Sequence, residues 1–433
     1  MNAAHESDAL EAEVQRHYHR NFLANFGDLS FFWFGNTFIS SATILSLYVA
    51  RASESAVLVG LVAAIGSAFW YLPQIVAANY TERYPRRKPI VIKIGFFAER
   101  LPIWLIALSA FLMDPTRPGP ALALFFFAYS WHSLGAGTLG PAWQDLLART
   151  IPTERRGSFF GLSNFTGSAL GAGGATVAGL LLARFPFPQG FAWCFLIAAG
   201  TILVSWVCLA QVREPNYTTA KEPVSLGVYL RRLPAALRSD RNFSFFILNR
   251  AANGVGRMAT GFFTVYAVTR WGLPDSAAGA FTVLLLLSQA LSYLLLGFVA
   301  DRWGHKVVLE FGTLLAVLAL ATCLAAPSVV VFYLVFVAWG INTAADTLSG
   351  LMITLEFTGP ENRPTYVGLA NTTTGIFSAV SPLVGGVLAS VMGYRVVFVI
   401  AGVMMVMALG VLHWLVQEPR RAAAEARAAT SSV

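Results

Sequence analysis

About twelve stretches of roughly 20 apolar residues run through this chain, and each is long enough to cross the hydrocarbon core of a bilayer as a helix. They lie near residues 27 to 50, 56 to 79, 90 to 112, 119 to 147, 156 to 183 and 189 to 211, then 242 to 269, 275 to 299, 306 to 326, 328 to 353, 364 to 391 and 394 to 416. We number them spans 1 to 12 in that order. Inside hydrocarbon every backbone N–H and C=O must find its partner within the protein, so only helices and closed barrels can cross. The period-two alternation of a barrel strand is absent from these stretches, and the expected fold class is an all-α membrane protein. With 12% charged residues in 433 and a mean hydropathy of +0.62, the chain is far from the ~25% charged content of soluble domains.

The chain also repeats itself. Glu154-Arg155-Arg156-Gly157-Ser158-Phe159-Phe160-Gly161-Leu162-Ser163-Asn164 reads onto Glu361-Asn362-Arg363-Pro364-Thr365-Tyr366-Val367-Gly368-Leu369-Ala370-Asn371, with Glu, Arg, Gly, Leu and Asn in register. The register continues to Gly179 against Gly386. A second echo, Val212-Arg213-Glu214-Pro215 against Val416-Gln417-Glu418-Pro419, follows the last apolar stretch of each half. The expected organisation is an N-terminal segment (1–24), a six-helix half (25–212), a linker (213–241), a second six-helix half (242–418) and a tail (419–433).

Charge orients the chain. With both termini in the cytoplasm, 21 of the 30 Lys and Arg fall on the cytoplasmic side, five outside and four within the membrane, as the positive-inside rule asks. The net charge of +8 follows from these loops, and no nucleic-acid partner is needed to explain it. Residues 1–24 show no short apolar region with a small-residue cleavage site, so span 1 is expected to remain in the membrane. The expected location is a bacterial-type inner membrane, crossed many times. Cys194, Cys208 and Cys323 all sit in apolar stretches without metal-type spacing and read as packing residues. Basic residues among leucines between Arg213 and Arg241 suggest an amphipathic surface helix in the linker.

A family resemblance lies in the loop after the second span of each half. Gly297-Phe298-Val299-Ala300-Asp301-Arg302-Trp303-Gly304-His305-Lys306 closely resembles the signature of the major facilitator superfamily. The first-half copy, Ala78-Asn79-Tyr80-Thr81-Glu82-Arg83-Tyr84-Pro85-Arg86-Arg87-Lys88, has Ala, Glu and Pro where the signature has Gly, Asp and Gly. The resemblance covers roughly residues 20 to 418 and implies two pseudo-symmetric six-helix bundles working by alternating access. It also implies a cytoplasmic gate made of these loops: Glu82, Arg83, Arg86, Gly297, Asp301, Arg302, Gly304 and Lys306, facing the repeated pairs Glu154/Arg156 and Glu361/Arg363. Carboxylates near helix ends and guanidinium groups suit such a latch physically. The same residues could instead be solvated positive-inside anchors.

Transport itself needs polar groups at mid-depth, where a charge is costly unless it faces a cavity or a partner. Span 7 carries Asn249, Arg250, Asn253 and Arg257 on one helical face. An offset of about 221 sets Asp28 opposite Asn249 and Asn36 opposite Arg257. Span 3 carries Glu99 and Arg100, span 4 His132, and span 10 Asn342 and Asp346. The expected substrate-binding residues are Asn36, Arg100, His132, Arg250, Asn253, Arg257 and Asn342, with Glu99 and Asp346 as proton-coupling candidates. Glu99 and Arg100 point about 100° apart on an α-helix, so each is expected to need its own partner. Asp28 and Arg250 have an alternative place at the interface, and His132 an alternative role as a packing residue satisfied by a backbone carbonyl.

Three arginines would make the cavity electropositive and favour a small organic anion, with a proton as the candidate coupling ion. Departures from the family pattern qualify this. Where proton-coupled members often carry an Arg in span 4, this chain has His132 before Gly135 and Gly137. The Gly-Pro-x-x-Gly-Gly element typical of span 5 in drug antiporters has its nearest match in span 11, at Ser381-Pro382-Leu383-Val384-Gly385-Gly386. An exporter of drugs, amphiphiles or lipids stays open as an alternative, as does a non-transporting sensor or assembly factor. A membrane-embedded enzyme would use His132 with Asp145 or Glu99, but no metal or nucleophile spacing supports it. No cofactor is implied, no phosphate loop occurs, and the partners expected are a small-molecule substrate, a coupling ion and membrane lipids. Each chain carries a full pathway, so a monomer suffices.

Overall fold

The computed structural model describes residues 12–82, 84–215, 237–238, 240–357 and 363–419. Among them the secondary structure is helical without strands, and the helices fall into the twelve expected groups. Spans 2, 4, 5 and 6 are the single helices Ala56–Glu82, Gly119–Thr150, Thr153–Arg184 and Gln189–Ala210. Spans 8 to 11 are Ala277–Trp303, His305–Ala325, Val329–Glu356 and Arg363–Met392. Span 12, Tyr394–Gly410, continues into a π-helical turn, Val411–Leu415.

The other three spans are interrupted, and the interruptions sit where polar residues cluster. Span 1 divides into Tyr18–Thr37 and Ile44–Ser53, and span 7 into Arg241–Gly256, a 3₁₀ turn at Arg257–Ala259, and Phe262–Trp271. At an offset of 221, the break after Thr37 coincides with the one at Arg257, so the repeat extends to the breaks. Span 3 runs as Lys88–Ile94, a π turn at Gly95–Arg100, and Leu101–Phe111. Such turns insert a residue into the helical ladder and re-aim the side chains around it.

The helices form two compact units. One holds Met1–Glu54, Ile65–Ser225 and Pro274–Val283. Its interior joins Ala24, Val91, Leu139, Ala142, Leu146, Leu209 and Val212, and Tyr48 is enclosed by Phe125, Phe191 and Phe195. Glycine lets its helices touch backbone to backbone: a Cβ on Gly135 would lie 2.0 Å from the Ala98 carbonyl oxygen, and one on Gly137 1.9 Å from that of Phe69. The segment Pro274–Val283 is held in this unit by Arg51–Asp275 at 2.6 Å and by the Thr282 hydroxyl, 2.6 Å from that of Thr43.

The second unit holds Ser55–Ala64, Leu226–Leu273 and Leu284–Val433. Phe243, Phe246, Leu309, Ile353, Tyr366, Leu369, Leu412 and Val416 form its core. Here the Pro382/Gly385/Gly386 element has a packing explanation. A Cβ on Gly386 would stand 2.8 Å from the Ala56 carbonyl oxygen, and one on Gly60 2.2 Å from that of Pro382, so small residues permit this approach.

The Val-x-Glu-Pro echo has a structural cause. Glu214 accepts hydrogen bonds from the backbone N–H groups of Arg87 and Lys88, each 2.8 Å, at the start of span 3. Glu418 accepts from the N–H of Lys306, 3.1 Å, at the start of span 9. A carboxylate there satisfies helix-end donors and complements the positive end of the helix dipole. The residue before each Glu is clipped by an asparagine from the first span of its half. Asn21 exchanges bonds of 3.0 and 2.8 Å with the backbone of Arg213, and Asn242 does the same with Gln417. The repeated sequence thus ties the last span of each half to its first and third.

Candidate transport site

In the first unit, the π turn places Glu99 and Arg100 together among buried groups. The Arg100 guanidinium contacts the Glu99 carboxylate through Nη1, lies 3.7 Å from Asp28 through Nη2, and folds back to the Gly95 carbonyl at 3.4 Å. This corrects the expectation that Glu99 and Arg100 cannot pair. The wider π turn and the length of the Arg side chain close the ~100° separation of neighbours on a regular helix. Asp28 accepts from Ser205 Oγ at 2.6 Å and from Trp143 Nε1 at 3.0 Å, so it is a buried, hydrogen-bonded group. The three charged side chains are 3–4% exposed. His132 joins through Nδ1, 2.8 Å from the backbone oxygen of Glu99, a bond a packing histidine also makes.

In the second unit, Asp346 of span 10 lies between two arginines of span 7. One carboxylate oxygen receives Arg250 Nη1 and the other lies 3.0 Å from Arg257 Nη2. Arg250 Nε donates to Thr374 Oγ1 at 3.2 Å, and Arg257 Nε to Asn253 Oδ1 at 3.1 Å. Gly350 makes room, since a Cβ there would come within 3.2 Å of Arg250 Nη1. Arg250 is therefore held between spans 10 and 11. These side chains are 12–24% exposed, so the cluster is open where that of the first unit is closed. Among the described residues two guanidinium groups face this one carboxylate.

The structure thus brings Arg250, Asn253, Arg257 and Asp346 together in one unit, and Glu99, Arg100 and His132 in the other. Asn36 is half-buried at the break in span 1, and Asn342 is buried against Gly312 with Oδ1 unpartnered. Among the described residues neither is hydrogen-bonded to the charged clusters. Sequence reasoning missed Ser205, Trp143 and Thr374 as partners; the polar run Thr372-Thr373-Thr374 inside span 11 was the available signal for the last. Among the described residues no three His, Cys, Asp or Glu side chains converge as a metal site.

Much of the expected gate lies outside the described residues: Arg83 and Glu361 wholly, and the side chains of Glu82, Glu154, Arg156, Asp301 and Arg363. Of the remainder, Arg86 and Arg302 are exposed and a Cβ on Gly297 would meet open space. Gly304 has φ +95° with the Glu418 carboxylate 2.6 Å from its Cβ position, so both conformation and space require glycine. Lys306 reaches the His413 carbonyl at 3.1 Å and Glu310 at 3.5 Å. In the first unit Asp145 pairs with Arg87 and Arg149, and Arg149 also bonds the Pro85 carbonyl at 2.8 Å.

Residues 246–432 match the model of the Major Facilitator Superfamily. The fold of nearly the whole chain matches solved transporters. The nucleoside transporter NupG aligns with a TM-score of 0.69 at 15% identity, over 90% of this chain and 99% of its own. A bacterial homologue of the human lysosomal transporter Spinster gives 0.67 at 16% identity, over 92% and 96%. The second half of the chain thus matches the family's model, and nearly the whole chain has the fold of these transporters. Its long apolar helices and this fold are those of a multi-pass integral membrane protein. A D-xylose–proton symporter matches at 0.64 and 15% identity over 92% and 98%; at such identities these likenesses speak for the fold alone. A search of curated proteins gives no match.

Proposed function

We propose that this protein is a secondary active carrier of a small organic anion, working by alternating access between its two halves. The observation that carries the reading is the Arg250–Asp346–Arg257 cluster, partly open and presenting two guanidinium groups. Guanidinium groups bind carboxylates and phosphates through paired, charge-assisted hydrogen bonds. Asn253 and Thr374 orient the two arginines, while Asn36, at the break in span 1, and Asn342 of span 10 are further amides for the substrate. Lys and Arg asymmetry supports both termini on the cytoplasmic side of an inner membrane, and the loops after spans 2 and 8 serve as the cytoplasmic gate. One chain holds both halves, so the working unit is a monomer.

The test is counterflow in proteoliposomes with labelled monocarboxylates, dicarboxylates, phosphate esters, nucleosides, sugars and cationic drugs. One anionic class is expected to exchange, and Arg257→Ala is expected to reduce that exchange by at least ~10-fold, the effect of losing one charged hydrogen bond of about 1.5–3 kcal/mol. Exchange of cations or neutral amphiphiles that survives Arg257→Ala would instead establish the exporter alternative.

A further inference from the structure

At one end of the first unit, hydrogen bonds fasten the end of span 6 to the starts of spans 1 and 3. Arg20 Nε donates to the Gln211 carbonyl at 2.9 Å, and its Nη2 to Gln211 Oε1 at 3.4 Å. Two residues on, the Arg213 N–H donates to Asn21 Oδ1 at 2.8 Å, and the next residue, Glu214, accepts the N–H of Lys88 at 2.8 Å. These junctions gather Arg20, Lys88 and Arg213 in one place, and both guanidinium groups face the Lys88 ammonium. Arg20 and Arg213 are exposed and Lys88 is half-buried.

The three cations form no ion pair among the described residues. Glu214, the carboxylate facing Lys88, is engaged by the N–H groups of Arg87 and Lys88 and lies 3.5 Å from Arg149. The Gln211 acceptors that hold Arg20 are neutral, so its charge is not cancelled. Like charges held together repel, and an anion between them relieves the repulsion. The second unit handles the matching place differently. Lys306, which stands for Lys88 at an offset of about 218, is paired with Glu310 at 3.5 Å. At the same offset Ile92 stands in the first unit where Glu310 stands in the second, and the echo sets Gln417 against Arg213. The concentration of positive charge is thus a departure of the first unit from the repeat.

Beside the cluster the surface is apolar. Val204, Val207 and Gln211 lie on one face of span 6, at i, i+3 and i+7, with the two valines 42% and 48% exposed. Trp206 sits half-buried between spans 3 and 6, its Nε1 donating to the Ile92 carbonyl at 3.0 Å. Over about 10 Å of helix, from Val204 to Gln211, the surface therefore passes from aliphatic to cationic. That order is the profile of a bilayer from acyl chain to headgroup, with tryptophan near the boundary.

We propose that Arg20, Lys88 and Arg213 bind the phosphate of an acidic phospholipid, whose acyl chain lies along the exposed face of span 6. The guanidinium groups offer paired, charge-assisted hydrogen bonds to phosphate oxygens, and the lysine adds a point charge. A lipid suits the place better than a soluble anion, because its chain also covers Val204 and Val207. The site lies apart from the two buried charge clusters and does not rest on the anion-carrier reading.

The test is native mass spectrometry of the full-length protein, delipidated in a neutral detergent and titrated with phosphatidylglycerol or with zwitterionic phosphatidylcholine. One phosphatidylglycerol is expected to bind at least ~10-fold more tightly than phosphatidylcholine. Lys88→Gln and Arg213→Gln, which keep the backbone N–H groups of the junction, are each expected to weaken it about 5-fold, the effect of one cation at a membrane surface. Arg241→Gln and Lys306→Gln, which remove charges from the matching end of the second unit, are expected to leave it unchanged. Thermal unfolding without lipid identifies a misfolded variant, and either of the first two suffices. Equal affinity for the two lipids, undiminished binding in the folded Lys88→Gln or Arg213→Gln protein, or an equal loss in the second-unit variants would overturn the site. Displacement of the lipid by inorganic phosphate or glycerol phosphate at matching concentration would overturn the lipid assignment in favour of a soluble phosphate.

Discussion

Asp346 bridges Arg250 and Arg257, and each member of the trio is held by the others. Removing the carboxylate leaves two guanidinium groups in a low-dielectric interior. Asp346→Ala is therefore expected to destabilise the protein by about 3–5 kcal/mol, the cost of breaking a buried ion pair from one side. Thermal unfolding followed by tryptophan fluorescence measures it. The double variant Asp346→Ala/Arg250→Met is expected to regain part of the loss, because a methionine asks for no counter-charge. A double change no more stable than the single one would show that the pair contributes little. The members of this cluster were legible in the sequence: charges at mid-depth in span 7 and span 10 needed partners. That Arg250 reaches Thr374, or that Arg100 turns back onto Glu99, was not legible, because periodicity assigns a residue to a helix face and says nothing of a turn that departs from the α-helix.

Helices in lipid gain little from burying apolar surface against one another, so close packing and helix-end hydrogen bonds carry much of the association. Gly137→Val would force spans 2 and 4 apart at the Phe69 carbonyl, whereas Gly297→Val meets open space. The first is expected to cost at least about 1–3 kcal/mol, the usual cost of overpacking, and the second close to nothing. The melting temperatures of the two variants, compared side by side, check this. The Glu214 carboxylate is the other device at this scale. Glu214→Ala is expected to cost about 0.5–2 kcal/mol, as for a lost helix cap, and to speed amide exchange at Arg87 and Lys88. Unchanged protection at those two amides would show that Glu214 is not the cap. The echo around Glu214 and Glu418 was visible as sequence; its purpose became visible only with the backbone groups it satisfies.

At the scale of the molecule, the repeat divides the chain at its linker, while its compact units divide it differently. Pro274–Val283 packs with the first unit and Ser55–Ala64 with the second. The hydroxyls of Thr43 and Thr282 are 2.6 Å apart, so Thr43→Cys/Thr282→Cys, with Cys194, Cys208 and Cys323 replaced by Ser, is expected to form a disulfide under mild oxidation. If alternating access parts these segments, the bridge stops counterflow and a reductant restores it. Full counterflow in the cross-linked carrier would mean that they stay together throughout the cycle.

The sequence by itself determined that this protein is helical, that its helices fall into about twelve apolar groups, that it repeats itself, and which charges lie inside the apolar stretches. Those properties follow from segment length, composition and internal register, all of which are local or periodic. The tertiary structure decided which carboxylates these arginines meet, and that one cluster is sealed and the other partly open. Those depend on how helices rotate and break against their neighbours, and that rotation is set by backbone contacts at Gly135 and Gly137 and by the caps at Glu214 and Glu418, between residues far apart in the chain.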